Sequence, residues 1–80
     1  MRTINSNKPK YFVGRRVIMK REFKSGNNYL FIGETGEIIG INKHTLPDLG
    51  LFDIDVLDIK FTSCIVSWAE QIAEEYLDLL

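Results

Sequence analysis

Eighty residues with a formal net charge of −1 allow one domain and one small core, because a chain this short buries only about 60% of the surface its unfolded form exposes. Apolar content of 45% and charged content of 26% argue against intrinsic disorder, and no apolar run approaches the ~18 residues of a bilayer span or forms a leader, so a cytoplasmic protein is expected. A single cysteine, Cys64, and a single histidine, His44, exclude an intrachain disulfide framework and any cysteine-based or two-histidine metal site.

Residues 1–9 are polar, end in Lys8-Pro9 and show no period, which predicts a flexible arm. Phe12 to Arg21 reads as a strand with Val13, Val17 and Met19 on one face and Arg16, Ile18 and Lys20 on the other. Lys24-Ser25-Gly26-Asn27-Asn28 is turn chemistry, and Tyr29-Leu30-Phe31-Ile32 a short aromatic strand. In Gly33-Glu34-Thr35-Gly36-Glu37-Ile38-Ile39-Gly40-Ile41, two glycines bracket Glu34-Thr35 and a β-branched run follows, which predicts a tight turn opening into a strand. That strand, Glu37 to Asn42, puts Ile39 and Ile41 on one face and Ile38 on the other, and Gly40 inside it marks a bulge or bend.

Lys43 to Gly50, with Pro47, Asp48 and Gly50, reads as a loop. Phe52, Ile54 and Val56 then alternate with Asp53 and Asp55 as a half-buried strand. Asp58 offers a turn, with a last strand from Ile59 to about Ile65.

The C-terminus changes period. Trp68, Ala69, Ile72, Ala73, Tyr76, Leu77 and Leu80 fall within an arc of roughly 180° at about 100° per residue, opposite Glu70, Gln71, Glu74, Glu75 and Asp78. Ser67 with Glu70 has the form of a capping box and starts the helix near Ser67. The same period extends back through Cys64, Ile65 and Phe61, which leaves a start as early as Thr62 open.

Val13-Gly14-Arg15-Arg16-Val17, the Gly33-to-Ile41 stretch and Phe52-Asp53-Ile54-Asp55-Val56, followed by one helix, resemble the SH3-like small β-barrels over about residues 11–66. The second stretch is similar to the glycine-centred turn of KOW-type barrels in ribosomal and transcription proteins. RNA-binding KOW-type barrels tend to be basic, whereas Glu34 and Glu37 flank Gly36 here, and the poly-proline groove of signalling SH3 domains has no counterpart. What the resemblance implies is a fold, not a ligand. The expected architecture is mainly β with one helix: a small SH3-like barrel of about five short strands over residues 10–66 and a C-terminal amphipathic α-helix over 67–80.

Nothing in the chain has the spacing of a catalytic site. Cys64 lies in an apolar stretch and His44 in a polar one, which suits a buried structural thiol and a solvated imidazole. Asp53 and Asp55 share one strand face, as two carboxylates for a metal or acid–base work would, and as any solvent face does. Gly33/Gly36 lacks the Lys-Ser/Thr and the helix of a phosphate loop. A non-enzymatic protein without cofactors is expected.

Charge is the stronger signal. Residues 1–33 hold eight of the ten basic residues against one acid, Glu22, while residues 34–80 hold ten acids against Lys43 and Lys60. The helix has no Lys or Arg, carries Glu70, Glu74 and Asp78 at like-charge spacing, and ends in Glu75 and Asp78, where its dipole disfavours anions. Such a helix calls for compensation, from the basic half of this chain or from a basic partner. The second possibility predicts a protein–protein interaction module, an adaptor or inhibitor docking through Glu70, Glu74, Glu75 and Asp78. Compact cofactor-free barrels of this length are, by analogy, common among accessory and phage-encoded regulatory proteins. The alternative is nucleic-acid binding through Arg15, Arg16, Lys20, Arg21 and Lys24, with aromatics between the cations; a sequence pI near 5.7 weighs against it. The apolar helix face offers a homodimer contact.

Overall fold

The computed structural model describes residues 10–80, so the arm expected over residues 1–9 lies outside the described residues. In chain order the elements are β1 (Arg16–Met19), β2 (Phe23–Ser25), β3 (Asn28–Leu30), β4 (Thr35–Leu46), a 3-10 turn (Pro47–Leu49), β5 (Leu51–Phe61), β6 (Ile65–Ala69), α1 (Glu70–Tyr76) and β7 (Leu77–Leu79). Over the described residues the chain is mainly β with one α-helix.

In β1, Val17 and Met19 enter the core as their alternation requires. Val13, expected beside them, is exposed, because the strand begins only at Arg16 and the Gly14 amide instead donates to the Ile38 carbonyl (2.8 Å). β2 and β3 form a hairpin in which Ser25 pairs with Asn28 across Gly26-Asn27. The turn after it closes with the Glu34 amide donating to the Phe31 carbonyl (3.1 Å), and Gly33 holds the positive φ of 94° that the turn needs at its third position. Met19 and this turn exchange backbone hydrogen bonds, the Gly33 amide to the Met19 carbonyl and the Met19 amide to the Glu34 carbonyl, both 2.8 Å.

β4 and β5 are not short. They pair as one long hairpin of 12 and 11 residues, so the loop expected from Lys43 to Gly50 shrinks to the 3-10 turn and Gly50. Asp58 does not turn the chain: β5 runs through it, and the turn comes after Phe61. Two register shifts change which residues face inward. Between Ile38 and Gly40 the extra residue is Ile39, so Ile38 is buried and Ile41 also packs on the core, while Ile39 bulges into solvent. Near the hairpin's end, Phe52 and Asp53 oppose Thr45, with Asp53 at φ 54°. Within β5 the alternation runs unbroken from Ile54 to Phe61, and Leu57, Ile59 and Phe61 are the inward residues. Ile54 and Val56, expected to face inward, have the opposite parity and are half-buried, and Phe52 is exposed rather than core-facing.

The main sheet is five-stranded and antiparallel, in the order β6-β5-β4-β1-β7, with β2-β3 as a separate two-stranded sheet. β6 and β7 are the ends of that order, and no ladder joins them.

The helix expected over residues 67–80 is shorter than its period implies. Ile65–Ala69 is a strand, Leu77–Leu79 another, and only Glu70–Tyr76 is helical. Trp68 suits either period, and β6 wins it because Val66 and Trp68 then alternate into the core opposite Ile59 and Leu57. Phe23 packs edge-on against Trp68 (5.0 Å between ring centroids) and Tyr76 (5.5 Å), which ties hairpin, sheet and helix together. Ser67 does not cap the helix; Ala69 is the N-cap residue, and the Ser67 hydroxyl donates to Asp58 (2.6 Å).

Candidate functional site

The four acids expected on one helix face divide between two elements and two environments. Glu70 opens α1 and Glu74 follows one turn later, so these two keep their like-charge spacing; Asp78 sits on β7. Glu75 accepts from Arg21 (3.4 Å) and Asp78 lies 3.7 Å from Lys20. Glu70 and Glu74 form no ion pair among the described residues. Part of the basic half thus lies against part of the acidic half. Both pairs are exposed, where such contacts contribute at most about 1 kcal/mol.

Tyr11, one of the aromatics between the cations of the basic half that the nucleic-acid reading offers for base stacking, is buried instead. Burial first, and then the charges of Glu74, Glu70 and Asp78, hold its hydroxyl above the ordinary tyrosine pKa. The Lys10 ammonium lies 5.5 Å from the centre of the Tyr11 ring. The electrostatic link to the acids carries no sequence signal, since Tyr11 precedes β1 and shares no period with them.

On its other side Glu70 lines an open cleft of about 490 Å³ with Phe52, Asp53, Asp55 and Gln71. Lys43 donates to Asp55 (3.0 Å). That hydrogen bond and the Asp55 charge, joined by Asp53 and Glu70, hold the Lys43 ammonium above its ordinary pKa. The acidic surface therefore extends from the β4–β5 hairpin through Glu70 to Glu74.

The basic residues also separate. Lys20 and Arg21 are the partners of Asp78 and Glu75, and Lys24 is exposed on β2. Arg15 lies over the Phe12 ring (5.7 Å), and its Nε is buried with no partner among the described residues. Arg16 falls in register with Glu37, and Glu37 with Lys60. Arg16 and Lys60 line a second open cleft of about 540 Å³ with Thr35, Glu37 and Thr62. Strand alternation places Lys60 outward beside inward Phe61, but only the β4–β5 register brings it to Arg16.

Cys64 and His44 do not meet. Cys64 follows the turn beside Phe61, which pairs with Gly36, whereas His44 pairs with Ile54. From Gly36 to His44 the strand runs roughly 25 Å. Among the described residues no group of three or more His, Cys, Asp and Glu side chains is placed to hold a metal ion, and no helix is long and apolar enough to cross a membrane. No family model, no curated protein and no solved structure matches the chain.

Proposed function

We propose that this chain is a non-enzymatic protein–protein interaction module that docks a partner with a basic surface. The observation that carries this reading is the pair Glu70 and Glu74: two like charges one helical turn apart, without an ion pair among the described residues, with Glu70 sharing a cleft with Asp53 and Asp55. Repulsion at this spacing costs about 0.2–0.5 kcal/mol, a cost that a Lys or Arg side chain of a partner removes. Glu75 and Asp78 contribute less to docking, because Arg21 and Lys20 already neutralise them.

The fold supports a small SH3-like barrel as the scaffold. α1 joins the two edge strands with no linker, and its seven residues span about 11 Å. In a flat sheet five strands wide the edges would stand about 19 Å apart, so a short helical link between them suits a curved scaffold better than a flat one.

A Lys/Arg-rich ten-residue peptide with a fluorescent label tests the reading. Binding is expected to weaken with salt and to vanish in Glu70→Lys/Glu74→Lys while the far-UV spectrum persists. Equal binding by that variant overturns the proposal. A second reading, nucleic-acid binding, draws on Arg16 and Lys60 in one cleft with two threonine hydroxyls. It requires a labelled oligonucleotide to bind with a steep salt slope that Arg15→Ala/Arg16→Ala flattens.

A further inference from the structure

Antiparallel pairing alternates hydrogen-bonded and non-hydrogen-bonded residue pairs. The Phe61 amide donates to the Cys64 carbonyl (2.8 Å), which fixes the phase of the β5–β6 ladder. Ile59/Val66 and Leu57/Trp68 are then the bonded pairs, and Lys60/Ile65, Asp58/Ser67 and Val56/Ala69 the others. The N–H groups of Ile65, Ser67 and Ala69 and the C=O groups of Ile65 and Ser67 consequently point away from β5. The Ala69 carbonyl turns into the first turn of α1, as an N-cap carbonyl does.

β6 ends the sheet, so these outward groups meet no other described strand. Protected edges carry charges, prolines or bulges. Ile65–Ala69 has none of them, and Ile65 is 57% exposed at its start.

We propose that β6 pairs antiparallel with β6 of a second copy, about a two-fold axis at Ser67, to form a symmetric homodimer. The occupant follows from the strand's self-complementarity. With Ser67 opposite Ser67, the two residues exchange both of their outward hydrogen bonds. On either side the Ala69 amide of one copy donates to the Ile65 carbonyl of the other. Every outward group except the Ile65 amide is then satisfied, and the Ala69 carbonyl, already engaged in α1, is not needed.

Side chains fit the same register. Exposed Ile65 lies beside small Ala69 of the second copy, and two short serines meet on the axis. No charge crosses the new ladder. Glu70, which follows Ala69, stands at one end of the ladder with its counterpart at the other, about 20 Å away along the strands, and Asp58 holds the Ser67 hydroxyl from one strand inward. The Asp58 of the second copy is three strand spacings away, about 14 Å, so both separations exceed the ~8 Å screening length of physiological salt. The dimer would join two five-stranded sheets into one.

Sedimentation equilibrium of the full chain, with backbone amide exchange, tests this. The expected mass is twice the 9.2 kDa of one chain. Ser67 and Ala69 amides should be protected, and lose protection on dilution, while the Ile65 amide stays fast. In Ser67→Pro the lost N–H serves no bond in the described ladders, so the backbone of one copy tolerates it. The variant also gives up the hydroxyl bond to Asp58, and in its folded form it should sediment at the mass of one chain with its β spectrum kept. Ile65→Lys, which adds an edge charge without a backbone change, should do the same and stands in if the proline variant unfolds. A chain that stays monomeric at high concentration overturns the proposal. So does a dimer that survives the folded variants, or one whose Ser67 and Ala69 amides exchange freely.

Discussion

Gly36 of β4 and Phe61 of β5 face each other across the ladder, and a Cβ on Gly36 would stand 2.8 Å from the Phe61 ring. The ring occupies the space that the glycine leaves open. Gly36 is buried in an extended strand, so its role is close approach rather than an unusual φ.

Gly36→Ala should therefore destabilise the fold by about 1–3 kcal/mol, the usual range for overpacking. Chemical denaturation followed by Trp68 fluorescence measures it. In a Phe61→Leu background the same substitution should cost much less, since a smaller side chain leaves room. Additive costs in the double variant would show that Phe61 is not the obstacle.

How much of this was legible depends on how many periods a segment satisfies. Val17 and Met19 fit one period and took the buried positions it implies. Trp68 fits two, and pairing opposite Leu57 decided for a strand, which shortened the expected helix. The bulge at Ile39 inserts one residue and reverses the inward parity beyond it, which simple alternation does not register, and in β5 the core took Leu57, Ile59 and Phe61 rather than the alternating Phe52, Ile54 and Val56. Asp58 has turn chemistry, yet it lies within β5 because the Asn42 amide and the Ser67 hydroxyl both donate to its carboxylate. The acids Glu70 and Glu74 were legible as a like-charge pair. Their separation from Glu75 and Asp78 was not, because it depends on where Arg21 and Lys20 fall after folding.

Asp58 joins three strands through side chains alone: Asn42 of β4 at 3.1 Å and Ser67 of β6 at 2.6 Å. Asp58→Ala should cost about 1.5–3 kcal/mol, the range for hydrogen bonds to a charged acceptor. Asp58→Asn should cost less, because an amide oxygen still accepts one of the two bonds. Equal stability of Asp58→Ala and the wild type would remove Asp58 from the account of sheet cohesion.

Tyr11 gives the fold an alkaline limit. Its folded-state pKa is raised, first by burial and then by Glu74, Glu70 and Asp78, from an ordinary value of 10.0. Folded chains then keep a proton that unfolded chains release, so this contribution to stability is complete below pH 10 and is lost as pH rises through the folded pKa. Denaturation midpoints should fall above that pH, and Tyr11→Phe should flatten the fall. Phenolate absorbance should also show the Tyr11 midpoint moving down in Glu74→Gln. An unchanged midpoint would mean that Glu74 does not act on the hydroxyl.

Stability and binding should move in opposite directions at Glu74. A carboxylate kept for the fold weakens the fold when neutralised, whereas one kept for a partner relieves repulsion. Glu74→Gln removes the unfavourable spacing with Glu70, so unfolding should become harder by about 0.2–0.5 kcal/mol, while affinity for the basic peptide falls. Glu75→Gln loses its contact with Arg21 and should lower stability slightly, by at most about 1 kcal/mol, with little effect on the peptide. Thermal melts and peptide titrations of the two variants, in the same buffer, separate the alternatives. If Glu74→Gln weakens the fold and leaves peptide affinity unchanged, the carboxylate serves the structure and the docking surface lies elsewhere.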